Sequence, residues 1–184
     1  MSLKFGILGL LKYERMTGYD LQKTFNSSLQ FMWNAKGSQI YRELKAMEQR
    51  GLVSSSVIEQ ENKFDRKVYS LTEQGSEEFL SWMQKFPQDL NAPIRDEFSI
   101  RVFFGEFISN EELRFEIIKY KKQQEESIEE LNVIKVLAEQ DAEKNDMEQS
   151  FFYWLLTIKR GIKSIQAEIE WAEEALDLLQ HKRG

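Results

Sequence analysis

The chain of 184 residues contains no cysteine and a single histidine, His181, near its C-terminus. This composition excludes disulfide bonds, thiol catalysis and cysteine-containing zinc sites, and it leaves no internal histidine for a catalytic triad or a metal site. The net charge of −6 is unevenly distributed, because residues 1–86 carry 12 Lys and Arg against 10 Asp and Glu, whereas residues 87–184 carry 13 against 21. Attraction to nucleic acid is therefore expected from the first half, and the acidic second half is expected to face away from it.

Two helices are predicted at the start of the chain. Leu3–Tyr13 contains the short apolar run Phe5–Leu11, which we interpret as part of a core helix and not of a signal peptide, because no small-residue cleavage site follows. Thr17 and Asp20 form a T-x-x-D pattern typical of a helix N-terminus, and this second helix is expected to reach about Leu29. No stretch approaches the roughly 18 apolar residues of a membrane span, so a cytoplasmic protein without a membrane partner is expected.

A third helix is expected to begin after Asn34, its predicted N-cap, and to end at Gly51, since glycine commonly ends helices in left-handed geometry. Trp33, just before this helix, is interpreted as a core residue between helices. The apolar residues of the helix recur at i, i+4 and i+7, which predicts one buried stripe made of Ile40, Leu44 and Met47.

Two β-rich runs, Leu52–Ile58 and Val68–Leu71, flank the polar segment Glu59–Lys67 and predict a β-hairpin. Thr72 is then expected to cap a fourth helix that reaches about Phe86. The residues of this helix that are expected to face inward are Phe79, Leu80, Trp82 and Met83. The order of helix, helix, helix, hairpin and helix is that of a winged helix-turn-helix module.

Residues 87–93 interrupt this pattern with two prolines, and we place a domain boundary there. Residues 1–86 are predicted to form a winged-helix DNA-binding domain, and residues 87–184 a helical dimerisation domain. The expected fold class is mainly α, with an N-terminal winged helix-turn-helix, a small β-hairpin wing and a C-terminal domain of long helices.

Three helices are predicted after the boundary. Asp96–Ile108 reads as a short helix with an aromatic face, and the capping box of Ser109 with Glu112 opens a long helix to roughly Glu143. The apolar residues of the last helix alternate steps of four and three, the heptad pattern of paired helices. This heptad seam consists of Phe151, Leu155, Ile158, Ile162, Ile165, Ile169, Ala172, Leu176 and Leu179. Because the helix carries apolar residues beyond the seam, we expect it to pair two subunits into a homodimer.

The polar face of the third helix and the hairpin together predict a DNA-binding surface. Taken alone, such a face could also be ordinary solvated surface. The hairpin directly after it favours DNA, because glutamine and arginine on a helix can hydrogen-bond base edges in the major groove, while cations on a wing contact phosphates. The residues expected at DNA are Lys36, Ser38, Gln39, Tyr41, Arg42 and Lys45 on the helix, with Lys63, Arg66 and Lys67 on the wing.

Aromatic residues of the second half offer a candidate site for a flat effector, and their alternative role is plain inter-helix core. The candidates are Phe98, Phe103, Phe152 and Trp154. Pairs of neighbouring carboxylates, such as Glu129 with Glu130, are interpreted as solvated helix faces. No metal site and no cofactor is predicted.

The segments WNAKGSQIYRELKAMEQRGLV and DRKVYSLTEQG, with ILGLL and MTGYDLQ near the start, resemble the PadR family of bacterial transcriptional regulators. The QIYREL form and the later IRDEFSIRVFF are similar to the longer-chain branch of that family, which includes a virulence-gene activator. Arg42 follows Tyr41 where the family usually has a proline. The resemblance implies a homodimer with two winged helices and a helical arm for pairing. Most members of the family repress transcription, and phenolic acids or drugs release some of them from DNA. The resemblance therefore implies a repressor that could respond to such an effector.

The sequence therefore predicts a sequence-specific DNA-binding transcriptional regulator, a homodimeric repressor of the PadR type. Its expected partners are double-stranded DNA, a second copy of the chain and a small aromatic effector. The alternative is a protein-interaction module, in which the winged helix is a scaffold and the acidic helical arm binds a protein partner. No nucleophile–base pair or metal cluster is visible in the sequence, so an enzyme is not expected.

Overall fold

The computed structural model describes residues 2–58, 66–87 and 96–181. The chain divides into two compact units, Met1–Asn91 and Ala92–Gly184. The described elements of the first unit are α1 (Ser2–Tyr13), β1 (Met16–Thr17), α2 (Gly18–Ser28), α3 (Gly37–Gln49), β2 (Val53–Ile58), β3 (Arg66–Leu71) and α4 (Glu73–Gln84). Those of the second unit are α5 (Glu97–Phe103), a 3₁₀ helix (Gly105–Phe107), α6 (Asn110–Lys144) and α7 (Glu148–His181). None of the described helices is both long and apolar enough to cross a bilayer.

Three predicted helix caps are present in the structure. The Thr17 hydroxyl accepts the backbone N–H of Asp20 at 3.1 Å, and the Thr72 hydroxyl accepts the N–H three residues later at 3.0 Å. Ser109 and Glu112 form the full reciprocal box, with both hydrogen bonds at 3.1 Å. Each bond satisfies a helix-terminal N–H that has no partner inside its own helix, which is why these short motifs define where α2, α4 and α6 begin.

The start of α3 differs from the prediction by two residues. The residue that caps α3 is Lys36, not Asn34, and its backbone N–H donates to the Gln39 side-chain oxygen at 2.8 Å. That contact satisfies the cap backbone without the asparagine side chain. The predicted end is confirmed, because Gly51 has a φ of 72°, a left-handed conformation that glycine adopts without steric cost.

The three strands form an antiparallel sheet in the order β1–β3–β2. In the predicted hairpin, Val53 lies opposite Leu71 and Ile58 lies opposite Arg66. The two-residue strand β1 is too short to give an alternating pattern, so the sequence does not predict it. The segment 59–65, which includes the predicted wing residue Lys63, lies outside the described residues.

The core of the first unit fixes the orientation of α3. The predicted stripe is confirmed, because Ile40, Leu44 and Met47 are fully buried. The stripe packs in one cluster with side chains of α1, α2 and the start of the wing, among them Ile7, Leu8, Leu21, Phe25 and Leu52. Each such side chain contributes about 1.5–3 kcal/mol through burial. The opposite face of α3 is consequently turned to solvent.

Four apolar residues predicted to lie in the core are partly exposed in the structure. Trp33 is 43% exposed, and the exposure of the α4 residues Leu80, Trp82 and Met83 lies between 41% and 49%. Of the predicted inward set, Phe79 does pack on the core cluster. In the described residues α4 packs mainly against α1, where Trp82 stacks on Phe5 with ring centres 4.5 Å apart, and the rest of these side chains is left open to solvent.

In the second unit, α6 and α7 pack side by side as an antiparallel hairpin. Every residue of the heptad seam is buried or half-buried within the single chain. Leu176 and Leu179 of this seam pack with Leu113 and Ile117 of α6. The heptad pattern therefore correctly predicts a pairing helix, and α6 of the same chain is one partner.

The predicted short helix Asp96–Ile108 is interrupted. The α-helix ends at Phe103, and one 3₁₀ turn follows before α6 begins. Its predicted aromatic face is only partly buried, because Phe98 packs on the α6–α7 core while Phe103 is 79% and Phe107 is 77% exposed.

Candidate nucleic-acid interface

Two glycines allow α2 and α3 to pack closely. A β-carbon at Gly37, the first residue of α3, would lie 2.5 Å from the Gln22 Nε2 atom of α2. A β-carbon at Gly18, the first residue of α2, would lie 2.5 Å from the Tyr41 Cε1 atom of α3. Both distances are shorter than any normal carbon contact, so a larger residue at either position would displace the neighbouring side chain. The two helices of the helix-turn-helix are thereby held in a defined geometry.

A row of three polar residues runs along the outer face of α3. Ser38, Arg42 and Lys45 are spaced at i, i+4 and i+7, which places them on one side of the helix, and all three are exposed. Neither cation belongs to the ion pairs formed within the described residues. The row extends over about 10 Å at 1.5 Å per residue, which suits the roughly 12 Å width of the major groove of DNA.

The other predicted residues of α3 have different local surroundings. Gln39 is half-buried and its amide oxygen accepts the Lys36 backbone N–H, so its side chain stabilises the helix start. The Lys36 side chain itself is exposed. Tyr41 packs its ring against Gly18 and remains 46% exposed, with its hydroxyl at the end of the ring. The structure thus places Lys36 and Tyr41 beside the polar row and assigns Gln39 a capping contact that the sequence analysis misses.

The two described wing cations differ in their contacts. Lys67 Nζ lies 2.8 Å from Glu48 Oε2 and 5.0 Å from the centre of the Tyr69 ring. The hydrogen bond to Glu48 raises the pKa of Lys67, and the same bond lowers the pKa of the Glu48 carboxyl, so both groups are charged at neutral pH. Arg66 is exposed and, as the residue before Lys67 in β3, points to the opposite face of the strand. The third predicted wing residue, Lys63, is outside the described part of the chain.

The four aromatic residues predicted for an effector site are not brought together within one chain. Phe98 stacks on Tyr120 with ring centres 4.5 Å apart, and it meets the edge of Trp171 at 6.1 Å. Phe103 lines a cavity of about 330 Å³ beside the C-terminal end of α7. Phe152 and Trp154 lie near the other end of α7, about 26–29 Å along the helix from Trp171 at 1.5 Å per residue.

The second unit contains no arrangement for metal chemistry in its described part. Across residues 2–58, 66–87 and 96–181, no group of three or more His, Asp or Glu is placed to hold a metal ion. Its titratable groups instead bridge the two long helices, as in the Lys121–Glu173 pair at 2.6 Å and the Tyr120–Glu168 hydrogen bond at 3.1 Å.

Each of the two units matches the sequence model of a known protein family. Residues 7–81 match the sequence model described as the transcriptional regulator PadR-like family. Residues 94–180 match a second model, described as virulence activator alpha C-term. The chain belongs to the PadR-like family of transcriptional regulators. This result confirms the resemblance found in the sequence, including the branch that contains a virulence activator. Since the family is made of transcriptional regulators, the prediction that the chain is not an enzyme is also confirmed.

Relatives of this PadR-like chain match over nearly its full length. The negative transcriptional regulator PadR of Bacillus subtilis (strain 168) is 29% identical over 179 residues, which are 96% of this chain and 97% of the relative. The crystal structure of B. subtilis PadR in complex with operator DNA has a TM-score of 0.80 at 26% identity and covers 97% of this chain and 99% of that chain. The structure of the same protein with p-coumaric acid has a TM-score of 0.74 at 25% identity, with 98% and 100% covered.

A second relative represents the other branch. The structure of the Vibrio cholerae virulence activator AphA has a TM-score of 0.76 at 29% identity and covers 97% of this chain and 98% of that chain. These likenesses, with the observed hairpin and helices, confirm the predicted fold class of a winged helix followed by long helices.

Proposed function

We propose that this PadR-like protein is a homodimeric, sequence-specific DNA-binding repressor that acts in the cytoplasm. The observation that carries the proposal is the exposed row of Ser38, Arg42 and Lys45 on α3, whose cations have no ion-pair partner within the described residues. The negative regulator PadR of B. subtilis, which has the same fold, is seen in a crystal structure with operator DNA.

In this mechanism α3 enters the major groove. The long side chains of Arg42 and Lys45 hydrogen-bond to base edges, and the Ser38 hydroxyl contacts a base or a phosphate near the helix start. Arg66 on the wing contacts a phosphate, which fixes the position of the protein on the duplex without reading its sequence. The Tyr41 ring is held against Gly18, and its hydroxyl is directed to the phosphate backbone of the DNA.

Pairing of two copies is part of the proposed mechanism. Residues 1–86 carry a net charge of only +2, and the carboxylates of Glu43 and Glu48 lie on the same helix as the contacting cations. One winged helix therefore attracts DNA weakly. Residues 87–184, with their long helices, are proposed to hold two winged helices so that both engage one operator with half-sites about 34 Å apart.

The central experiment is a fluorescence-anisotropy titration with duplex DNA from the region upstream of the protein's own gene. Replacing Arg42 and Lys45 together by alanine is expected to weaken binding by about 30-fold or more, because each lost base contact costs about 1–3 kcal/mol. The matched control removes the exposed cations Lys159 and Arg160 of α7, which carry the same charge but lie in the second unit. Equal affinity of the Arg42/Lys45 variant and the wild type would refute the proposed interface.

We further propose that a small aromatic acid releases the protein from DNA. The support is the B. subtilis relative, whose structure is known with p-coumaric acid. Adding p-coumaric acid to the preformed complex is expected to lower the anisotropy, whereas an aliphatic acid of the same charge is expected to leave it unchanged. If p-coumaric acid has no effect at millimolar concentration, this effector class is excluded while the DNA-binding proposal stands.

A further inference from the structure

One carboxylate joins α3, the recognition helix of the proposed DNA contact, to both strands of the wing, β2 and β3. Glu48 lies in the last turn of α3, and its two oxygens accept different donors. The hydroxyl of Ser55, on β2, donates to Oε1, and the ammonium of Lys67, on β3, donates to Oε2 at 2.8 Å. The contact therefore spans three elements whose residues are far apart in the sequence.

The strand register explains why these donors meet at one point. Ser55 lies opposite Tyr69, and Val57 lies opposite Lys67, so alternate residues of the two strands place Ser55 and Lys67 on the same face of the hairpin. The Lys67 ammonium also lies over the Tyr69 ring, which limits the directions in which its side chain can extend. Arg66, one residue earlier, lies on the other face and has no ion pair within the described residues.

We infer that Glu48 and Lys67 are positioning residues, which fix the angle between the recognition helix and the wing, and that Lys67 does not contact a phosphate. The inference rests on the proposed DNA binding and differs from the sequence-based expectation that Lys67 is a direct contact. With its ammonium held by Glu48, Lys67 contributes no free charge to the phosphates. Arg66 then carries the phosphate contact of this strand.

Salt dependence separates a positioning residue from a phosphate contact. The plot of log K against log salt concentration has a negative slope, and each phosphate contact that is lost makes this slope shallower by about 0.9. Lys67→Ala is expected to weaken binding by about two- to fivefold, as loss of a surface ion pair does, with an unchanged slope. Arg66→Ala, the matched variant on the opposite face of β3, is expected to make the slope shallower by about 0.9.

The partner carboxylate supplies the decisive comparison. Glu48→Ala is expected to weaken binding at least as much as Lys67→Ala, because it loses the Ser55 contact as well as the Lys67 contact. The double variant is expected to be no weaker than Glu48→Ala alone. Lys67→Arg retains a donor for Glu48 and is expected to keep the wild-type affinity. If Lys67 were a phosphate contact held back by Glu48, then Glu48→Ala would instead tighten binding and Lys67→Ala would make the slope shallower, and either result overturns the inference.

Hydrogen exchange of the free protein tests the same contact without DNA. In the full-length Glu48→Ala variant, the amides of β2 and β3 are expected to exchange faster than in wild type, while those of α6 and α7 are unchanged. Unchanged exchange in the two wing strands would refute the proposed role of Glu48 even if DNA binding is normal. If the wild type does not bind DNA but the variant exchanges faster, the proposed function is refuted. The role of Glu48 in holding the wing against α3 is then still supported.

Discussion

A β-carbon added to Gly75 would lie 2.0 Å from the carbonyl oxygen of Leu52. This contact joins the first turn of α4 to the backbone where the wing begins. The same carbonyl accepts the Thr72 backbone N–H at 3.2 Å and the Thr72 hydroxyl at 2.9 Å. The cap of α4 and the start of β2 therefore form one rigid junction, in which position 75 has no room for a side chain.

Gly75→Ala is expected to destabilise the winged-helix unit by about 3 kcal/mol, because the backbone of one element must move to relieve the overlap. Urea denaturation followed by tryptophan fluorescence measures the change. The control is Gly9→Ala in α1, where a β-carbon would lie 3.3 Å from a carbon of the Phe79 ring, a side chain that can shift slightly. A Gly75→Ala protein that unfolds at the wild-type urea concentration would contradict the junction.

Gly18→Ala tests how Tyr41 is held. The added methyl group must push the Tyr41 ring away, since the two would otherwise be 2.5 Å apart. Because the Tyr41 ring is displaced, the affinity for DNA is expected to fall. Alanine suits the first turn of a helix better than glycine does, so the free energy of unfolding is expected to stay within about 1 kcal/mol of wild type. In a double-mutant cycle, Gly18→Ala is expected to cost almost no further affinity once Tyr41 is alanine. Additive losses would show that Gly18 acts by another route.

The features that the sequence predicts well depend on neighbouring residues. The buried stripe of α3 follows from the spacing of Ile40, Leu44 and Met47, and the caps at Thr17 and Thr72 follow from residues within one helical turn. The caps form within one helical turn, and the helix period alone places the three apolar residues on one face. Burial of Trp33 and of the outer side of α4 depends instead on which other elements cover them, and sequence spacing carries no information on that.

The same limit applies to the candidate site. The outward placement of Arg42 and Lys45 follows from the helix period, because they lie opposite the apolar stripe. The role of Glu48 could not be predicted, since its partner Lys67 is 19 residues away and meets it only when the hairpin folds back on α3. For the heptad seam, periodicity identifies a pairing helix, but it cannot distinguish a partner in the same chain from one in a second chain.

Tyr120 is expected to make the second unit sensitive to alkaline pH. Burial of its ring, with the charge of Glu168 as a further cause, raises the pKa of Tyr120 to about 12. Because the folded-state pKa lies above the ordinary value of about 10, the folded state favours the neutral phenol. The stability from this group is fully present below pH 10 and is lost as the pH rises from about 10 to 12.

Ultraviolet difference absorbance of tyrosinate measures this titration. Tyr120 is expected to ionise with a pKa of about 12 in the folded protein, and Tyr120→Phe is expected to remove that late step. The variant should also lose less stability than wild type between pH 10 and 12. A late-ionising tyrosine that persists in Tyr120→Phe would assign the raised pKa to another residue.

Ile162 and Ile169 test the seam of α7 and the proposed dimer together. Both side chains are half-buried in the α6–α7 hairpin, so replacing both by glutamate places two charges in an apolar contact. Such burial costs several kcal/mol unless the charges are paired. The double variant is expected to lose helical content in circular dichroism and to sediment as a monomer, because the paired surface requires a folded hairpin.

The control places glutamate at Lys163 and Ala167, on the exposed side of the same helix, and should keep its helical content. A seam variant that remains a fully helical dimer would show that neither the hairpin nor the pairing of subunits depends on these isoleucines.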